Sequence, residues 1–399
     1  MQEFLDGLIA QGYFAGVPRD VVYAAGMLVF GAIVLLVFIL NVAGGTTFVE
    51  RRVWARIQSR VGPNRVGPQG ILQWLVDGIK LVMKEDIVPA AADRPLFLAA
   101  PYVVMMGFVS AFVVIPFGSR LIIADMNVGI LYLTAITALV VVGILMAGWA
   151  SNNKWSLIGG IRSAAQIVSY EIPAGLSVFP IILLTGTLSM QGIIRSQGWA
   201  PWHWLVFTNP FTFVAFFIFF TSALAEGNRT PFDLPEAESE LVAGFVTEYS
   251  GVRYLIFFMA EWGNLYIIGA VVTTLFLGGW QIPHVTDNAA LSTVLEFLVF
   301  FLKSYFWVVF AMWVRATLPR TRVDQLMVVC WKYLVPIGFV NVLGTAAWMV
   351  VFPQGNRIVA FLMFLLGVAI VGHFFRRVFF HLRRARVREH GELLLNPLS

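Results

Sequence analysis

Charge is scarce in this chain. Asp, Glu, Lys and Arg make up 12% of its 399 residues, while 59% are hydrophobic. That balance excludes a soluble globular core and points to a polytopic membrane protein. Cysteine is nearly absent: Cys330 alone excludes an internal disulfide framework and a Cys-ligated iron–sulfur cluster within the chain. The histidines (His203, His284, His373, His381, His390) are scattered without an HxxxH pair, so no haem or metal bound by this chain alone is expected. There is no glycine-rich dinucleotide fingerprint and no phosphate loop. MQEFLDGLIAQ lacks the basic n-region of a cleaved signal peptide. Internal repeats are missing too, apart from RVGP at 60–63 and again at 65–68.

What the chain has is apolar runs. A span needs about 20 apolar residues. Nine candidates meet this, at 21–48, 97–117, 128–150, 167–188, 210–226, 253–278, 293–315, 333–352 and 357–379. The fourth opens with SYE and contains Pro173 and Gly175, which predicts a kink or break. The expected fold is all-α, a single integral membrane domain over 1–399 with nine transmembrane helices and a cytoplasmic amphipathic helix.

Lys and Arg set the orientation. They crowd the segment between spans 1 and 2 (Arg51, Arg52, Arg56, Arg60, Arg65, Lys80, Lys84, Arg94), alternate connections after it, and the basic tail at 380–399. The opposite side has Arg19, Arg120, Arg195 and Arg357. This predicts an outside N-terminus and a cytoplasmic C-terminus. The net charge of +5 therefore reads as membrane orientation, with no nucleic-acid partner implied.

The cytoplasmic segment 49–96 is too long for a loop without structure. GILQWLVDGIKLVMKEDIVP puts Ile71, Trp74, Leu75, Gly78, Ile79 and Val82 on one helical face, with Asp77, Lys80 and Lys84 elsewhere. That pattern fits an interfacial amphipathic helix with a Trp anchor and, equally, a short soluble helix.

The acidic connection at 226–252 concentrates Glu226, Asp233, Glu236, Glu238, Glu240 and Glu248 around Arg229, between two apolar runs. It could be a solvated loop. However, Asp233 followed by Glu236 is a capping-box pattern with Pro235 in the first turn. Asp233, Glu236 and Glu240 would share one face. Leu241, Val242 and Phe245 follow directly, which predicts an ordered acidic helix leading back to the bilayer.

Charges inside spans are functional pointers. Glu50 precedes Arg51 and Arg52 at the end of span 1. Glu171 opens span 4, Glu226 ends span 5 and Glu261 lies within span 6. Four carboxylates from four spans, joined by water, could pass a proton. Glu296 and Lys303 share one face of span 7, where they could pair or snorkel.

NRTPFDLPEAESELVAGFVTEYS (228–250) closely resembles the signature of the H-type membrane subunit of bacterial respiratory complex I, the proton-pumping NADH:quinone oxidoreductase. Its mitochondrial counterpart is NADH dehydrogenase subunit 1. The resemblance runs from Phe48 to Leu326. FVERRVWARIQSRVGPNRVGPQGILQWLVDGIKL, ADRPLF, GWASNNKWSLIGGIRSAAQIVSYE, FFMAEWGN, LFLGGW and WVRATLPRTRVDQL stand in the family's order. It implies a bacterial inner-membrane, multi-pass subunit beneath a soluble redox arm. Quinone would be its substrate, with flavin and iron–sulfur clusters carried by partner subunits and no cofactor on this chain. Expected partners are the quinone-site and iron–sulfur subunits, the antiporter-like membrane subunits and the lipid bilayer. The resemblance further implies a quinone passage framed by spans 1 and 6 and the amphipathic helix, with Glu50, Arg51, Trp54, Asp77, Phe245 and Arg315 near it. It implies a proton path through Glu171, Glu226, Arg229, Asp233, Glu236, Glu238, Glu240, Glu248 and Glu261. Two departures stand out: Ala138 and Val142 where some members have Glu or Tyr in span 3, and Trp262 where Tyr is common.

Three other readings compete. A membrane-bound hydrogenase subunit would couple ions without quinone. A stand-alone secondary transporter would be expected to show inverted repeats. A passive scaffold would tolerate loss of the intramembrane carboxylates.

Overall fold

The computed structural model describes residue 6 and residues 17–235, 238–283, 288–353 and 355–391. Glu236, His284 and the last residues of the basic tail, 392–399, lie outside the described residues, as do the side chains of Glu238 and of 378–391.

Among the described residues all regular structure is helical. From residue 17 on, the described chain runs through α1 (Arg19–Ile33), a π-helical segment Val34–Ile39 and α2 (Leu40–Ile57) in one continuous run. Next come α3 (Gln73–Met83), α4 (Arg94–Ala111), α5 (Gly129–Ala150) and α6 (Lys154–Thr185). The short α7 (Met190–Ser196) and α8 (Leu205–Thr208) precede α9 (Pro210–Glu226). After α10 (Glu238–Leu241) come α11 (Gly251–Phe276), α12 (Ala289–Thr317) and α13 (Val323–Val328). A second π segment, Val329–Leu334, leads into α14 (Val335–Val351), and α15 (Arg357–Gly391) follows.

The helices Arg94–Val114, Gly129–Ala150, Lys154–Thr185, Gly251–Phe276, Ala289–Thr317 and Val323–Val351 are long and apolar enough to cross a membrane. Pro210–Glu226 and Ile358–Phe374 are shorter apolar helices. Together they make an integral, polytopic helical membrane protein.

Short polar residues start the helices. Asn153 caps α6 through the Trp155 N–H, and Asn209 forms a capping box with Thr212 ahead of Pro210 in α9. This capping corrects the expectation for the fourth span. The helix begins at Lys154, well before the apolar run, and continues through Pro173 and Pro180 to Thr185 without a break. Glu171 therefore sits near the middle of a 32-residue helix and does not open it.

The connections knit into two layers at the two ends of the bundle. At one end, Gln191 donates to the Gly118 carbonyl, Gln197 donates to the Thr274 carbonyl, and Trp280 donates to Gln191. Lys303 belongs to this layer. Its Nζ donates to the carbonyls of Leu277 and Gly279 at 3.0 and 3.1 Å and lies 4.8 Å from the Trp204 ring centre. Glu296 instead accepts from the Ser119 N–H at 2.7 Å. Of the two possibilities for span 7, the pair does not form: Lys303 caps the C-terminus of α11, where free carbonyls attract a cation.

The opposite layer contains 57–94, 226–251 and 317–323, tied by ion pairs such as Arg253 of α11 with Asp86 at 2.8 Å and Arg320 with Asp233 at 3.4 Å. The amphipathic helix α3 belongs here. It lies against α2 and α11, with the Trp74 ring on Gly44, where a Cβ would stand 2.2 Å from Trp74 Cε3. Only glycine lets the indole come so close.

Candidate functional site

The first part of the acidic connection and its return to the bilayer are built into the core. Arg229 is 3% exposed and Asp233 8% exposed, and Phe232, Leu234, Leu241, Phe245 and Tyr249 are buried around them. After α9, Asn228 takes the left-handed conformation (φ 49°), which asparagine tolerates. Its amide then donates to Ser163 Oγ on α6. Gln166, also on α6, donates to the carbonyls of Ala225 at 2.8 Å and Phe232 at 2.7 Å and to Asn228 Oδ1 at 3.1 Å. Further on, Gly159 meets Gly244 backbone to backbone; a Cβ on Gly159 would lie 2.7 Å from the Gly244 Cα. Tyr249 closes the connection by donating to the Phe97 carbonyl at 3.2 Å, and burial pushes its phenol up.

The expected helix is shorter than the sequence pattern implies. It covers Glu238–Leu241. Residues 233–235 are not helical, and Asp233 does not head a continuous acidic face with Glu240. Its Oδ2 faces Arg320, and its Oδ1 is buried without a hydrogen-bond partner. Glu240 pairs with Arg162 of α6 at 2.7 Å, half-exposed. Glu248 accepts from the Asn153 amide at 2.6 Å and so braces the residue that caps α6. Each of these three acids thus has its own partner, and the partners lie far away in sequence.

Two clusters emerge. In the first, Glu50, 4% exposed, accepts from Arg315 at 2.7 Å, and Arg315 lies 4.8 Å from the Trp54 ring centre. Arg51 holds Asp77 at 2.5 Å and so ties α3 to α2. Beside them is a cavity of about 440 Å³ between α2, α3 and α11, with Thr47, Arg51, Trp74, Asp77, Tyr254 and Trp262 in its wall. A second, more apolar cavity of about 800 Å³ lies against other faces of α1, the π segment and α2, bordered by Phe297 and Phe301 of α12. Trp74 lines both cavities.

In the second cluster, Arg229 lies with its guanidinium carbon 4.1 Å from the Trp262 ring centre and reaches Glu261 Oε1 at 3.1 Å. Glu50 is within electrostatic reach of Arg229 as well as of Arg315. Beyond Glu261 is a small cavity of about 60 Å³ that also touches Glu226 and Asn228. Glu226 in turn borders a cavity of about 270 Å³ that reaches Glu171.

The structure therefore brings Glu50, Arg51, Trp54, Asp77 and Arg315 to one place, and Glu171, Glu226, Arg229 and Glu261 to a row leading away from it. Phe245 is not with the first group. It packs edge-on to Phe257 at 5.6 Å and lines the small cavity. Sequence reasoning missed Gln166, Asn228 and Asn264. Their signal was weak: single polar residues beside or inside apolar runs. Among the described residues no three His, Cys, Asp or Glu side chains converge as a metal site requires.

Residues 30–346 match the family described as NADH dehydrogenase. The NADH-quinone oxidoreductase H subunit of Anaeromyxobacter dehalogenans is 53% identical over 365 residues, covering 87% of this chain and 88% of the relative. The H subunit of Chlorobaculum tepidum is 46% identical over 337 residues, with 82% and 94% covered. That of Rhodospirillum centenum is 47% identical over 337 residues, with 84% and 96% covered. With most of both chains aligned at this identity and the same cluster-bearing segments inside the matched range, the chain belongs to the NADH dehydrogenase family of complex I membrane subunits.

Proposed function

We propose that this chain is the quinone-passage and proton-coupling membrane subunit of a proton-translocating NADH:quinone oxidoreductase. The observation that carries the reading is Trp262. It lines the 440 Å³ cavity and also carries Arg229, which reaches Glu261 at the head of the carboxylate row. An occupant of the cavity and the row of acids are thus separated by one side chain.

The cavity suits a long apolar substrate with a polar head. Leu40, Leu75, Ile79 and Phe258 offer apolar wall, and Arg51, Asp77 and Thr47 offer polar contacts. Flavin and iron–sulfur centres on partner subunits would supply the electrons from NADH. Reducing a quinone by two electrons creates negative charge that two protons must neutralise. As that charge develops near the cavity, it draws Arg229 away from Glu261. Glu261 then takes up a proton, and Glu226 and Glu171 form the onward row through the two cavities. Asp233, Glu240 and Glu248 hold the connection that carries Arg229, and Glu236 and Glu238 are proposed members of the same path.

The reading includes nine spans, with the N-terminus outside and the C-terminus in the cytoplasm of a bacterial inner membrane. The Lys and Arg distribution supports it, as does the helical run found at each of the nine apolar stretches. The other complex I subunits are the partners. The test is to purify the assembly that contains this chain and measure NADH-driven quinone reduction with proton uptake into vesicles. Hydrogen evolution without quinone reduction would move the chain to the hydrogenase reading.

A further inference from the structure

The carboxylate row is not continuous. Glu226 stands at a waist between the 60 Å³ cavity on the Glu261 side and the 270 Å³ cavity on the Glu171 side. The residues that line both cavities are Thr137, Val140, Ile167, Glu226, Asn264 and Ile267. Half of this ring is aliphatic. The small cavity has room for about two waters, and apolar walls alone would leave such a space dry.

We propose that Asn264, together with Thr137, is the positioning residue that carries a water bridge past Glu226 and joins the two cavities. The inference rests on the proton-coupling reading above. Asn264 follows Glu261 by three residues on α11 and so shares its helical face. Its amide is absent from every side-chain hydrogen bond found among the described residues. It therefore keeps two N–H donors and a carbonyl acceptor for water. Thr137 already donates its hydroxyl proton to the Thr134 carbonyl at 2.9 Å, which leaves its lone pairs to accept from water. Neither group titrates near neutral pH, so each can orient water without trapping a proton. This also answers the departure in the third apolar helix. With Ala138 and Val142 where some relatives have a polar side chain, Thr134 and Thr137 are the polar side chains that α5 places in the larger cavity.

The test uses the assembled complex in proteoliposomes and reads turnover, quinone KM and protons moved per electron. Asn264→Leu should lower turnover by about tenfold, the rate equivalent of one hydrogen bond lost from the path, with quinone KM unchanged. Thr137→Val, which keeps the shape, should lower it in the same sense. Asn264→Ser is smaller but still binds water, and it should restore most of the activity. A purely structural amide would behave the other way: serine would leave a cavity and do no better than leucine. Wild-type turnover and pumping in Asn264→Leu, or equal damage from Ser and Leu in assembled complexes, overturns the proposal. Glu226→Gln separates the two levels. If Glu226→Gln is impaired while Asn264→Leu is normal, the water bridge alone is wrong. If Glu226→Gln is normal, the carboxylate row itself is wrong and the bridge falls with it.

Discussion

Arg229 lies on the face of Trp262, its guanidinium carbon 4.1 Å from the ring centre, in a site that leaves the arginine 3% exposed. The arginine Nε and Nη2 make no hydrogen bond, so aromatic stacking and the 3.1 Å approach to Glu261 do most of the holding. A cation held this way can change partners at small cost. Glu50, with one carboxylate oxygen buried and unpartnered, is a ready alternative.

Stacking of a desolvated cation on an aromatic ring is worth about 0.5–2 kcal/mol and is strongest for Trp. Trp262→Leu should therefore lower coupled turnover by about three- to thirtyfold, and Trp262→Tyr by about threefold or less. Quinone-dependent turnover per assembled complex checks this. Equal activity in the Leu and Tyr variants would show that the ring does not hold Arg229 in place.

The acids of the connection are not equivalent. Glu240 pairs with Arg162 in a half-exposed setting, where an ion pair contributes about 0–1 kcal/mol. Asp233 is 8% exposed and anchors Arg320 from the neighbouring connection. Glu240→Gln should leave turnover within about threefold of wild type. Asp233→Asn should cost about tenfold, as loss of a charge-assisted contact would. The reverse order in assembled complexes would return the stretch to a loop that need only be acidic.

Glu171 lines the 270 Å³ cavity with one carboxylate oxygen buried and without a partner. Glu171→Gln keeps the shape and removes the ability to release a proton. Assembly should survive, while proton translocation and the turnover coupled to it fall. Normal pumping in this variant would remove Glu171 from the path.

Gly44 makes room for the Trp74 ring. A Cβ there would force the indole out, and overpacking of this kind costs about 1–3 kcal/mol. Gly44→Ala should raise the quinone KM at least about fivefold while the complex still assembles. An unchanged KM would show that the seating of α3 does not shape the passage.

Much of this was legible because membrane helices announce themselves. Apolar runs and the Trp74 face of α3 read directly from residue pattern. The start of α6 did not. Ser163 and Gln166 interrupt the apolar run, so the pattern begins at 167 while the helix begins at its Asn153 cap. Those polar residues are spent on Asn228, Ala225 and Phe232, contacts that no local pattern encodes. The same limit applies to Glu50 and Arg315, 265 residues apart, and to Asp233 and Arg320, 87 apart. Spacing within one helix suggested Glu296 with Lys303, but the free carbonyls ending α11 drew the lysine instead. The capping-box pattern at Asp233 failed for a related reason: residues 233–235 are not helical, and the Asp233 side chain pairs with Arg320 of the neighbouring connection.

The central claim is that a long-tailed quinone enters between α2, α3 and α11. The most direct measurement is photolabelling of the assembled complex with a photoreactive quinone analogue, followed by peptide mapping of this chain. Labels should fall within 40–51, 74–82 and 254–262, and excess unlabelled quinone should suppress them. Labelling confined to α4, α14 or α15, or labelling that quinone does not compete away, would contradict a passage at this site.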